Sequence, residues 1–116
     1  MSVLAERSYQ FALRIVKCGE YLQNEKREFI LSRQLLRSGT AIGALIAEGK
    51  YAQSKADFVN KLSISLKEAN ETKYWLHLLK DSGYLQETFT NDILNDLEDL
   101  ISMLVASLKT AKRNIK

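Results

Sequence analysis

The chain has no proline in 116 residues and only five glycines. Hairpins, sandwiches and barrels are punctuated by those two residues, so their scarcity excludes a turn-rich β architecture and points to helices. A single cysteine, Cys18, rules out an internal disulfide. With one histidine, His77, a structural zinc site is out of reach, because it draws on several Cys or His. A helical di-iron site needs two Glu-x-x-His pairs, yet Tyr74 stands three residues before His77 and no second histidine exists. Gly39 and Gly43 fall inside a helical pattern rather than after a strand, so no phosphate-cradling loop is present. No nucleophile elbow is present either. Composition therefore argues against an enzyme, a cofactor or a metal site. Apolar runs fall far short of the ~20 residues of a membrane span. The opening MSVLAERSYQ carries charges where a signal peptide would be apolar. Together with the lone cysteine, this points to a reducing, cytoplasmic compartment and no membrane partner.

What is present suits one globular domain, residues 1–116. Apolar residues make up 46% and charged residues 27%, ordinary values for a soluble domain. Four segments carry helical periodicity. Residues 3–24 place Leu4, Phe11, Ala12, Ile15, Val16, Gly19 and Leu22 on one side, before the polar break QNEKREF. Residues 28–50 turn Leu31, Leu35, Ile42, Leu45 and Ile46 inward. Ser54, with Asp57 three residues on, opens a third segment over 54–81. There Phe58, Leu62, Ser65, Ala69, Thr72, Leu76 and Leu79 alternate by four and three residues, the seam of a helical bundle. Gly83 suits the left-handed position that stops this helix. A fourth segment, 90–113, carries Ile93, Leu97, Leu100, Ile101, Leu104, Leu108 and Ala111. Four amphipathic helices with short connections imply an all-α, antiparallel, up-down-up-down four-helix bundle.

The second helix contains an anomaly. Gly39 and Gly43 each cost a helix interior about 1 kcal/mol relative to alanine. With Ala47 they recur every four residues, a small ridge that lets another helix backbone come close. The small face of the third helix, Ser65, Ala69 and Thr72, is the expected partner for this packing. Whether the ridge packs within or between chains is open at this level.

Charge is unevenly spread around a net of +3. The stretch 86–99 carries five acids and no base, and the tail KTAKRNIK carries four bases and no acid. This polarity suits the macrodipole of the fourth helix without any ligand. Cations elsewhere are candidate phosphate contacts: Arg7, Arg14 and Lys17 near one face of the first helix, Lys26, Arg27, Arg33 and Arg37 after it, and Lys109, Lys112, Arg113 and Lys116 in the tail. Arg33 and Arg37 lie one turn apart, and Glu48, Glu68 and Glu71 are acids that would oppose them. Trp75, Tyr74, Tyr84 and Phe89 form either a stacking platform for bases or, more ordinarily, core and contact surface. Cys18 reads as a small core residue, and His77 as a partly exposed residue beside the core. Two functions fit this pattern. One is nucleic-acid binding, to RNA or a ribonucleoprotein, through phosphate contacts. The other is an oligomeric protein-interaction module whose charges serve solubility.

The segment from Ser32 to Leu85 carries the motifs QLLRSGTAIGALIAEG, SKADF and LSISLKEANETKYWL. In these it closely resembles the 23S ribosomal-RNA intervening-sequence proteins, and the likeness extends more weakly over nearly all the chain. These are small bacterial proteins, some encoded in insertions within ribosomal-RNA genes, and many have no established activity. A related branch, the accessory variability determinant of diversity-generating retroelements, works beside a reverse transcriptase and binds nucleic acid. The resemblance implies a four-helix bundle assembled as a ring-like homopentamer, in which any basic patch is repeated in every subunit. It also implies RNA or DNA, and a reverse transcriptase or another protein, as partners. Family members often carry IGANIAE where this chain has Leu45, so no amide role carries over to that position.

Overall fold

The computed structural model describes residues 2–114; the tail cation Lys116 lies outside them. Among the described residues the chain forms four α-helices and no strand: α1 (Val3–Asn24), α2 (Leu31–Gly49), α3 (Lys55–Asp81) and α4 (Glu87–Arg113). Each helix packs on two others, α1 on α2 and α4, and α3 on α2 and α4. The molecule measures 49 × 21 × 21 Å, so a long helix of ~1.5 Å rise per residue nearly spans it.

Local chemistry sets each helix end. Ser2 Oγ accepts from Ala5 N–H at 3.1 Å to start α1. Ser54 Oγ accepts from Asp57 N–H at 3.0 Å, and the Asp57 carboxylate reaches back to Gln53 N–H at 3.2 Å. The start of α2 uses a different device. Its first residues are capped by Glu28, whose carboxylate accepts from the N–H groups of Ile30, Leu31 and Ser32 at 3.1, 3.0 and 2.7 Å. Residues 28–30 are therefore the cap, and α2 begins at Leu31, three residues later than periodicity alone suggests. At the end of α3, Gly83 adopts φ +88°, a region glycine enters without a Cβ clash. Tyr84 N–H then bonds the Leu79 carbonyl at 2.9 Å, and Gly83 N–H the Lys80 carbonyl at 3.1 Å, a Schellman closure. It shortens the connection, so α4 starts at Glu87 rather than near residue 90.

One core runs through all four helices. Phe11, Ile15, Cys18 and Leu22 come from α1, and Leu35, Ile42 and Ile46 from α2. The α3 seam is buried from Leu62 through Ser65, Ala69, Thr72 and Leu76 to Leu79, with Phe58 half-buried. Ile93, Leu94, Leu97, Leu100, Leu104 and Leu108 complete it from α4. Val16, expected inward, is 39% exposed, and Cys18 takes its place in the core.

The small residues of α2 divide between two neighbours. Gly39 and Gly43 face α1: a Cβ on Gly39 would meet Ile15 side-chain atoms at 2.8 Å, and one on Gly43 would meet the Ser8 carbonyl oxygen at 3.3 Å. Gly19 of α1 returns the arrangement, receiving Leu36 of α2. The expected mating of the ridge with Ser65, Ala69 and Thr72 is not what forms. Those residues meet α2 one step round its circumference. Ser65 Oγ donates to the Ile42 carbonyl at 2.9 Å, and Thr72 Oγ1 bonds Ser38 Oγ at 2.9 Å. The mismatch arises because glycine at every fourth position and hydroxyl at Ser38 lie on different faces of one helix. Ala47 is exposed and belongs to neither seam.

Two outcomes follow from these contacts. Alanine at Gly39 gains about 1 kcal/mol of helix propensity but overpacks against a stiff, buried isoleucine, which costs about 1–3 kcal/mol. Gly39→Ala should lose stability in urea denaturation. Gly19→Ala, whose Cβ would meet Cγ and both Cδ atoms of Leu36 at 2.7–2.9 Å, should lose stability as well. The second concerns Glu28. Burial alone would raise its pKa, but the three backbone N–H donors outweigh that and hold it below 4.5. Its contribution is therefore present above the unfolded pKa and fades as pH falls through the folded one. Glu28→Ala should cost about 1 kcal/mol at neutral pH, and wild type and variant should converge as pH drops below 4.5.

Candidate nucleic-acid interface

The proposed phosphate-binding cations do not form one patch. Two belong to a charged seam between α1 and α4. Arg7 pairs with Asp96 at 3.3 Å and Asp99 at 3.5 Å, and Arg14 with Asp92 at 2.7 Å and Asp96 at 3.4 Å. The acidic stretch of α4 therefore does more than suit its helix dipole, because Asp96 bridges both arginines. Both charge runs are visible in the sequence, but their meeting is not, since helix order gives neither the rotation nor the register that brings Asp92 and Asp96 opposite Arg14. Arg37 is likewise engaged: it pairs with Glu68 at 2.9 Å and with Glu71, which also accepts from Trp75 Nε1 at 3.1 Å. Glu48 pairs instead with Lys61 at 3.5 Å.

The remaining cations sit apart from these networks. Lys17, Lys26, Arg27 and Arg33 are exposed, and among the described residues none of them pairs with a carboxylate. Lys26 and Arg27 lie on the α1–α2 turn and Arg33 in the first turn of α2, while Lys17 stands about two turns before the end of α1. Arg27 is held in the α1–α2 turn at φ +54°, a conformation that costs a non-glycine residue about 1–2 kcal/mol, with its guanidinium 5.3 Å from the centre of the Phe29 ring. A second set, Lys109, Lys112 and Arg113, occupies the exposed last turns of α4. The start of α3 lies against it, with Lys55 Nζ donating to the Asn114 carbonyl at 3.2 Å.

The contact between α1 and α4 is the sparsest of the four helix contacts, and a groove of about 450 Å³ opens at one end of it. Buried Cys18 and Leu85 form its base, Tyr21 and Phe89 its sides, and Arg14, Lys17 and Gln86 its rim. Burial, only partly opposed by the nearby Arg14 charge, pushes the Cys18 thiol up to about 11. It is a protonated core group rather than a nucleophile. The aromatic cluster expected at the end of α3 is divided. Tyr74 and Trp75 meet edge to face at 5.1 Å, Trp75 and Tyr84 pack on the core, and Phe89 turns to the groove. Tyr21 was not singled out from sequence. The available signal was its spacing from Arg14 and Lys17 along one helical face. His77 is exposed. Among the described residues no group of three or more His, Cys, Asp or Glu is placed to hold a metal ion, and no helix is long and apolar enough to cross a membrane.

An all-α chain whose four long helices share one core and expose cations at their ends defines a small helical bundle. Residues 2–106 match the family model of the 23S rRNA-intervening sequence protein, and the chain belongs to that family. It is also similar to a protein of unknown function from the S23 ribosomal protein family of Bacteroides thetaiotaomicron, solved by crystallography. The two share 48% identity over 92% of this chain and 96% of the other, with a TM-score of 0.91. No curated protein matches the chain.

Proposed function

We propose that this protein is a non-enzymatic, nucleic-acid-binding bundle of the bacterial cytoplasm that acts as a ring-like homopentamer. In this reading its helices run antiparallel, up-down-up-down. The register of the cross-helix contacts supports that order, because partners descend along one helix as they ascend the other. Arg7 pairs with Asp99 and Arg14 with Asp92, and Arg37 with Glu71 while Glu48 pairs with Lys61. Self-association is supported by an uncovered apolar ridge on α1. Tyr9, Leu13 and Val16, spaced by four and three residues, are 57%, 45% and 39% exposed, a pattern suited to contact with another helix.

The observation that carries the binding reading is that Lys26, Arg27 and Arg33 at the α1–α2 turn, and Lys17 further back on α1, are exposed and, among the described residues, without carboxylate partners. Cations tied into ion pairs must break them to meet a phosphate, whereas these four need only release solvent and counterions. In the antiparallel order Lys109, Lys112 and Arg113 form a second cationic set at the opposite end of the bundle, beside Lys55. The ridge on α1 also suits a second reading, an adaptor that binds another protein and no nucleic acid.

The two separate by salt response. Light scattering behind size exclusion, with a pool of single-stranded RNA and DNA, should give a mass near five chains and co-elution that fades from low to moderate salt. Alanine at Lys26, Arg27 and Arg33 should flatten the salt slope by about 0.7 for each phosphate that is no longer neutralised. Arg7→Ala should leave it nearly unchanged. Salt-insensitive behaviour, or a pentamer that ignores nucleic acid, would transfer the assignment to protein recognition.

A further inference from the structure

We propose that the groove between α1 and the start of α4 receives an unpaired base of a single-stranded nucleic acid, with Lys17 on the adjoining phosphate. This inference rests on the nucleic-acid reading above and names the form of polymer bound.

The groove's size falls within the range of ligand sites, about 300–1,000 Å³. Its chemistry narrows the occupant. The base of the groove is apolar, formed by Cys18 and Leu85, and its sides are two rings, Tyr21 at 39% and Phe89 at 38% exposure. Half-exposed rings from two helices thus line the groove, and aromatic side chains are the groups on which nucleobases stack. The rim is cationic, and among the described residues no carboxylate lines the groove. Arg14 is anchored by Asp92 and Asp96, so its guanidinium plane is fixed. Lys17 has no such anchor among the described residues and is available to a phosphate. Gln86, the N-cap residue of α4, makes no side-chain capping bond, which leaves a carboxamide on the rim for base edges.

Position completes the case. Tyr21 lies in the last turns of α1, and its carbonyl accepts from Lys26 N–H at 3.4 Å. Tyr21, a lining residue of the groove, is thus bonded directly to the turn that carries Lys26 and Arg27. A strand with one base in the groove would continue its phosphates along those cations. A duplex, whose bases are stacked and paired inside, has no base to insert.

Fluorescence anisotropy with a labelled single strand, the matching duplex and a competing free nucleoside monophosphate tests this on the full chain. The expected result is that the single strand binds at least about tenfold tighter than the duplex. Phe89→Ala should weaken strand binding by about tenfold with the salt slope unchanged. Phe89→Tyr should keep the affinity, and Lys17→Ala should reduce the slope. If Phe89→Ala loses helical circular dichroism, Tyr21→Ala gives the same readout at another ring. Equal affinity for strand and duplex, with both ring variants silent, would overturn the groove assignment and leave phosphate binding standing. A monophosphate that competes as well as the oligonucleotide would overturn the strand in favour of a free nucleotide. Absence of binding to either polymer would remove the nucleic-acid reading, and this inference with it.

Discussion

The bundle depends on how closely α2 approaches its two neighbours. Towards α1 it presents Gly39 and Gly43, which receive Ile15 and the Ser8 backbone, while Leu36 enters the space left at Gly19. Towards α3 it presents Ser38 and the Ile42 carbonyl, which meet Thr72 and Ser65. Close approach multiplies dispersion contacts between small side chains and backbone. It also strips water from polar groups, so each hydroxyl must find a partner. They do: Thr72 bonds both Ser38 and the carbonyl of Glu68. Glycine on one face and hydroxyl on another let a single helix serve two tight seams.

The looser side of the molecule follows from that arrangement. With α2 drawing α1 and α3 inward, α1 and α4 make the sparsest of the four helix contacts and hold together at its margin through Arg7, Arg14 and Asp96. Partly exposed pairs of this kind contribute modestly, about 0–1 kcal/mol each. Their larger effect is on which charges remain available. The seam consumes two arginines of α1, Glu68 and Glu71 consume Arg37, and Lys26, Arg27, Arg33, Lys109, Lys112 and Arg113 stay exposed near the helix ends. The same loose seam leaves room for the groove between Tyr21 and Phe89.

Much of the fold was legible in the sequence. The α3 seam could be read residue by residue, because alternation by four and three residues is set by helix geometry alone. The Ser54–Asp57 start and the Gly83 stop were legible for the same local reason. The cap on α2 was not, because Glu28 acts from two to four residues upstream of the groups it caps and resembles any surface acid in sequence. The direction of the glycine ridge was equally hidden: a ridge shows that something comes close, not which helix does. Which cations are paired was less legible still. Basic residues are easy to count, but whether Arg14 or Lys17 is free depends on whether Asp92 faces it across two helices. The groove combines Tyr21 with Phe89 from distant parts of the chain, and no local pattern joins them.

Position 39 is glycine because Ile15 fills the space a Cβ would take. A double-mutant cycle on Gly39→Ala and Ile15→Ala, read by urea denaturation, tests this directly. Removing the isoleucine opens the space that the alanine methyl needs. The double variant should therefore lose less stability than the sum of the two single losses, by at least about 0.5 kcal/mol. Strict additivity would mean that the two residues do not share this contact, and would contradict the close-packing explanation of α2.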